Sequence, residues 1–124
     1  MKCLILDNAV LSYISLKLRL EAMGAEVQTI AYRHVRDYER EFNKDALETE
    51  RLNEIDFIFV SAYVSGDLNK FVNNVLRNKC SKAKIIVTYA RGETSALPSV
   101  YVVKYDNVLM QPYSDEELRK VIFS

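Results

Sequence analysis

Short apolar runs alternate along this chain with segments whose apolar residues recur every three or four positions. Lys2 to Leu6 is a run of the first kind and reads as a buried strand. After a polar break, Leu11, Ile14, Leu18 and Ala22 recur at helical spacing until Gly24 stops the pattern, which predicts a helix. Val27 to Ala31 is a second strand. The stretch from His34 to Asn53 is strongly charged and carries only a thin apolar stripe, Val35, Tyr38, Phe42 and Leu47, so it reads as a long, solvent-exposed helix with a break near Asn43. Ile55 to Val60 is the third strand, closed by the small hydroxyl of Ser61, and Leu68, Val72, Val75 and Leu76 mark the buried face of a third helix. Lys84 to Tyr89 is the fourth strand.

The pattern changes after Ala90. Arg91 to Ser99 is rich in turn formers, and Val100 to Tyr105 is β-branched and aromatic, so a regular fourth helix is not expected there. Val108 to Met110 reads as a fifth strand. Ser114 with Glu117 three positions on makes a capping box that opens a last helix through Leu118, Val121 and Ile122. Strands and helices that alternate in this way predict a parallel sheet covered on both faces, and residues 1–124 fit one domain. In such sheets ligands and chemistry collect at the carboxyl ends of the strands, which puts Ser61, at the end of the third, at the sequence position to watch.

Composition narrows the function. Seventeen basic side chains face seventeen acidic ones, without a long block of either sign, so specific nucleic-acid binding by this chain alone is not expected. The first apolar run is too short for a signal peptide, and no stretch approaches the ~20 apolar residues that span a bilayer. The expected location is the cytoplasm. Cys3 and Cys80, with His34 alone beside them, make neither a disulfide framework nor a zinc motif. Cys3 falls inside the first strand and reads as a small hydrophobe. A serine hydroxyl is a weak nucleophile without a base in reach, and no base is evident for Ser61, so the chain does not read as an enzyme.

The order of elements and several local motifs resemble, over essentially the whole chain, the CheY-like receiver domain of bacterial response regulators in two-component phosphorelays. The resemblance implies a single five-stranded parallel sheet of flavodoxin-like, doubly wound order, with an atypical or missing fourth helix here. It also implies a set of site positions. The family's acidic pair after the first strand, which holds a divalent metal, corresponds to Asp7 and Asn8. Its phosphate-accepting aspartate, five residues after an Asp that opens the third strand, corresponds to Ser61, counted from Asp56. Its Thr or Ser at the end of the fourth strand corresponds to Thr88, and its Lys-Pro pair after the fifth strand to Gln111 and Pro112. The acceptor carboxylate and the cation are both missing.

Phosphoryl transfer rests almost wholly on positioning and charge neutralisation, so these losses act together. Mg²⁺ prefers anionic oxygen ligands, and Asp7 alone makes at most a weak site, so no metal or other cofactor is expected. Asp7 then reads as a cap accepting backbone N–H groups. Gln111 has a donor amide that suits a neutral hydrogen-bonded network in place of the metal-centred one. A second register stays open, in which Lys104 takes the family lysine position; Pro112 and the cap at Ser114 favour Gln111. The resulting reading is a pseudo-receiver: a non-catalytic, phosphorylation-independent signalling module acting by protein contact. The alternatives are a weakly active phosphoacceptor receiver and a structural dimerisation domain. The expected partners are a protein or an effector domain, or a second copy in a homodimer, and not a membrane. Tyr101 and Tyr105 are the candidate interface residues, with core packing as the equal alternative for both.

Overall fold

The computed structural model describes residues 1–43, 52–90 and 105–123. Five strands, β1 (Lys2–Leu6), β2 (Glu26–Ile30), β3 (Phe57–Ser61), β4 (Lys84–Ala90) and β5 (Asn107–Gln111), form one sheet in the order β2-β1-β3-β4-β5. Every pairing is parallel. This is the flavodoxin-like order, whose switch point lies between β1 and β3. Side chains alternate across it, and two cores result. Leu4, Leu6, Ile58, Val60, Ile85 and Val87 face one side of the sheet, and Cys3, Ile5, Phe57, Phe59 and Ile86 face the other.

Helix α1 (Val10–Ala22) and helix α4 (Asp115–Phe123) cover the second side, where Leu16, Leu20, Leu118, Val121 and Ile122 are buried. Helix α2 (Val35–Asn43) and helix α3, over residues 68–79, cover the first. The thin stripe of α2 is deeply packed: Val35, Tyr38 and Phe42 are all buried, and the ring centre of Phe71 lies 6.0 Å from that of Tyr38, tilted, and 5.9 Å from that of Phe42, edge-on. The part of the long second helix expected beyond Asn43, through Leu47, lies outside the described residues up to Leu52, which is again buried. In α3 an α-helical Leu68–Phe71 and Arg77–Lys79 flank a π-helical middle, Val72–Leu76. Apolar residues at 68, 71, 72, 75 and 76 suit either winding, so residue spacing carries no sign of it.

The periodicity that predicts α1 is not its buried face. Leu11 and Leu18 are 88% and 63% exposed, with Val10, Ile14 and Ala22 also outward, while Leu16 and Leu20 carry the packing. The capping box forms as expected: Glu117 N–H donates to Ser114 Oγ at 3.1 Å, and Ser114 N–H to Glu117 Oε1 at 3.4 Å. The segment expected to lack a fourth helix, with Tyr101 and Lys104, lies outside the described residues. Tyr105 is half-buried and packs against the core between the sheet and α2 and α3. Among the described residues, no helix is long and apolar enough to cross a membrane.

Candidate functional site

The carboxyl ends of β1, β3, β4 and β5 meet at one edge of the sheet, and each carries a residue singled out in the sequence. Register fixes two of the relationships. Ser61 pairs with Thr88 across β3 and β4, and Gln111 pairs with Ala90 across β4 and β5. Among the described residues, the buried polar side chains are Asp7, Ser61 and Thr88, each about 5% exposed or less. A buried polar residue is more informative than an exposed apolar one, because burial costs free energy unless hydrogen bonds replace water.

Asp7 follows β1 in the loop to α1. Its Oδ1 accepts the N–H of Ala9 at 2.9 Å, so it holds the loop that leads into α1. Its Oδ2 accepts the hydroxyl of Ser12 at 2.9 Å. Ser12 Oγ in turn accepts from Gln111 Nε2 at 2.6 Å, across 99 residues of sequence. A chain of hydrogen bonds thus runs from the Gln111 amide through the Ser12 hydroxyl to the Asp7 carboxylate. It joins α1 to the end of β5. The peptide bond between Gln111 and Pro112 is cis.

Ser61 Oγ accepts the N–H of Tyr63 at 3.2 Å, and Ala62 N–H donates to the Thr88 carbonyl at 2.9 Å, so the β3 end is held against β4. Tyr63 lies over this corner, its hydroxyl accepting the Ala90 N–H at 2.8 Å. On the other side, Val35 N–H donates to the Ser65 carbonyl and Ser65 N–H to the Arg33 carbonyl, both at 2.8 Å. These bonds latch the loop after β2 to the loop after β3. Gly66 fits under His34 there with φ +106°, where an added Cβ would stand 3.0 Å from the His34 ring. Asn8 follows Asp7, half-buried and uncharged.

A divalent ion does not fit this donor set. The two Asp7 oxygens are already engaged by Ala9 and Ser12, Asn8 and Ser61 are neutral, and among the described residues no three His, Cys, Asp or Glu side chains are placed to hold a metal. The cysteines are remote from the site. Cys3 and Cys80 are buried in opposite cores, and burial pushes both thiols up to about 12. Their chemistry is that of small hydrophobes, as expected for Cys3.

Two residues of the site were not singled out in the sequence. Ser12 is a helical serine whose role depends on where β5 ends, and Tyr63 is an ordinary loop tyrosine until Ala90 is placed beside it. Neither carries a local signal. Arg19 also escaped notice: its guanidinium donates to the Tyr113 carbonyl at 2.7 Å, lies 4.9 Å from the Tyr113 ring centre and 3.6 Å from Asp115. That clamp ties α1 to the segment following Pro112 and so supports the Ser12–Gln111 contact.

No family model and no curated protein matches the chain. Solved structures do. The signal receiver domain of a modulated diguanylate cyclase from Desulfovibrio desulfuricans G20 is 18% identical, with 98% of this chain and 90% of that one aligned at a TM-score of 0.70. A response regulator receiver domain protein from Clostridium thermocellum is 20% identical, aligned over 98% and 90% at 0.67. A putative pilus assembly-related protein from Burkholderia pseudomallei K96243 is 13% identical, aligned over 99% and 87% at 0.72. At these identities the likeness is one of fold: the chain has the CheY-like receiver fold.

Proposed function

We propose that residues 1–124 form a cytoplasmic pseudo-receiver, a signalling module without catalysis of its own that works by protein contact and independently of phosphorylation. The observation that carries this reading is the Gln111–Ser12–Asp7 chain. Gln111 holds the sequence position where the resemblance implies a cation, and its neutral amide is bonded through the Ser12 hydroxyl to Asp7, for which the resemblance implies a metal ligand. Asp7 accepts two hydrogen bonds from the protein itself, so its charge is compensated without an ion. Ser61 offers no carboxylate to form an acyl phosphate, and its Oγ is engaged by Tyr63 N–H. The site then holds the ends of β1, β3, β4 and β5 in one arrangement. An effector domain or a separate protein is the partner this reading implies, recognised through the surface of the fold.

Calorimetric titration with Mg²⁺ tests the metal half of the proposal. The natural chain should give no saturable heat at millimolar Mg²⁺, whereas a variant carrying Asn8→Asp and Ser61→Asp should bind, because it regains hard anionic ligands. Saturable Mg²⁺ binding by the natural chain, accompanied by amide shifts at Asp7 and Ser61, would overturn it and favour a weakly active phosphoacceptor.

A further inference from the structure

Strand β5 is an edge of the sheet and pairs with β4 alone. Of its five residues Leu109 alone is buried, whereas all five of β3 are. An edge strand with few buried contacts opens more readily than a central one, so what holds its two ends decides where it lies. Its start is pinned to β4 and α3. Asp106 N–H donates to the Ile85 carbonyl at 2.8 Å, Asp106 Oδ2 accepts the Ile85 N–H at 2.7 Å, and Arg77 lies 3.1 Å from the same oxygen. Its far end is pinned to α1 instead, by Ser12 at the Gln111 amide and by Arg19 at the Tyr113 carbonyl and ring.

We propose that Ser12 and Arg19 act as one two-point lock, which holds the carboxyl end of β5 and the entry to α4 in a single state while Asp106 fixes the strand's start. The two residues are seven apart in α1, which sets them on one face about 10 Å apart along the axis. The residues they hold, Gln111 and Tyr113, are two apart. A rigid helix gripping so short a link couples the contacts: a shift of β5 that parts Gln111 from Ser12 carries the Tyr113 carbonyl off Arg19 as well. The second point needs an arginine, because a planar guanidinium can bond the carbonyl and lie against the ring together, as a lysine cannot. The guanidinium also faces Asp115, the first residue of α4, but that pair is exposed and adds little alone. Contacts that part together give an element with two arrangements, which is what a partner drawing on the face of β5 and α4 would bias. The inference goes beyond the proposed function, since it concerns how this face is held and not whether phosphate is accepted.

Ser12→Ala and Arg19→Lys test it, and both put good helix formers into α1, so the variants should fold. Their readouts are reciprocal. In Arg19→Lys the NMR signals of the Gln111 side-chain amide, about two helical turns from the substitution, should move towards their position in Ser12→Ala. In Ser12→Ala the Arg19 guanidinium protons should exchange with water faster. Backbone amide exchange over Val108 to Gln111 should rise about tenfold in either variant, the scale of one net hydrogen bond. The double variant should stay well short of the roughly hundredfold rise that two independent contacts would give. Exchange at Val35 and Ser65, in the latch between the loops after β2 and β3, should not change. A Gln111 amide unmoved by Arg19→Lys, a double variant equal to the product of the singles, or an equal rise at Val35 and Ser65 would overturn the proposal. Phosphoryl transfer to the natural chain would instead overturn the proposed function and leave these readouts as they are.

Discussion

A buried carboxylate needs donors, and Asp7 has two in the Ala9 N–H and the Ser12 hydroxyl. Gln111 extends the same logic, for its amide supplies a donor where a lysine would bring a charge with nothing anionic at position 61 to meet it. At the other end of the sheet Asp56 shows what a charged residue does in this fold when it has partners. Its Oδ2 accepts the Lys2 N–H at 2.8 Å, and Lys82 Nζ lies 3.2 Å from Oδ1. The Lys2 N–H first, and Lys82 with it, hold this carboxyl below its ordinary value of 3.8 against an opposing effect of burial. A carboxyl group depressed on folding contributes stability that is present above its unfolded pKa and is lost as pH falls through the folded one. Asp56→Asn should therefore lower stability at pH 7 by about 1 kcal/mol, the side chain being partly exposed, and the deficit should shrink as the pH drops below about 4. Denaturant unfolding from pH 7 to pH 3 measures this. A deficit constant across the range would show that the loss is packing rather than charge.

Elements were legible where packing follows from local pattern and illegible where it follows from neighbours. Strands β1, β3 and β4 stand out because buried parallel strands are continuous apolar runs, and the capping box of α4 is a local exchange of bonds between Ser114 and Glu117. The position of Ser61 could be read because it closes one of those runs, and those of Asp7, Thr88 and Gln111 because the order of elements resembles a receiver. Ser12 could not, since its partner comes from the far end of the chain, and the buried side of α1 could not, because outward Leu11 and Leu18 keep the same period as inward Leu16 and Leu20. The latch between the loops after β2 and β3 was equally hidden. It depends on Gly66, whose positive φ and close approach to His34 leave no room for a side chain. Gly66→Ala should destabilise the fold by about 1–3 kcal/mol and speed amide exchange at Val35 and Ser65, the two ends of the latch. Thermal unfolding with hydrogen exchange checks both, and an alanine variant as stable as the natural chain would show that the loops do not rely on this contact.

At the scale of the molecule, a receiver fold is present in which hydrogen bonds from Gln111 through Ser12 to Asp7 tie the end of β5 to α1 and the loop after β1. Conformational control by a ligand requires that the ligand bind one state better than another. On the reading proposed above, a site with Ser61 and a neutral Gln111 gives phosphate no such handle, and regulation would act through which surface is displayed and at what partner concentration. The most direct measurement is intact mass after incubation of the natural chain with acetyl phosphate and Mg²⁺, run beside a variant carrying Asn8→Asp, Ser61→Asp and Gln111→Lys. The account predicts an unchanged mass for the natural chain, and a gain of one phosphoryl group by the folded variant would show that the assay detects the restored chemistry. A phosphoryl gain on the natural chain would contradict it, whether acid-stable as on a hydroxyl or hydroxylamine-labile as on a carboxylate.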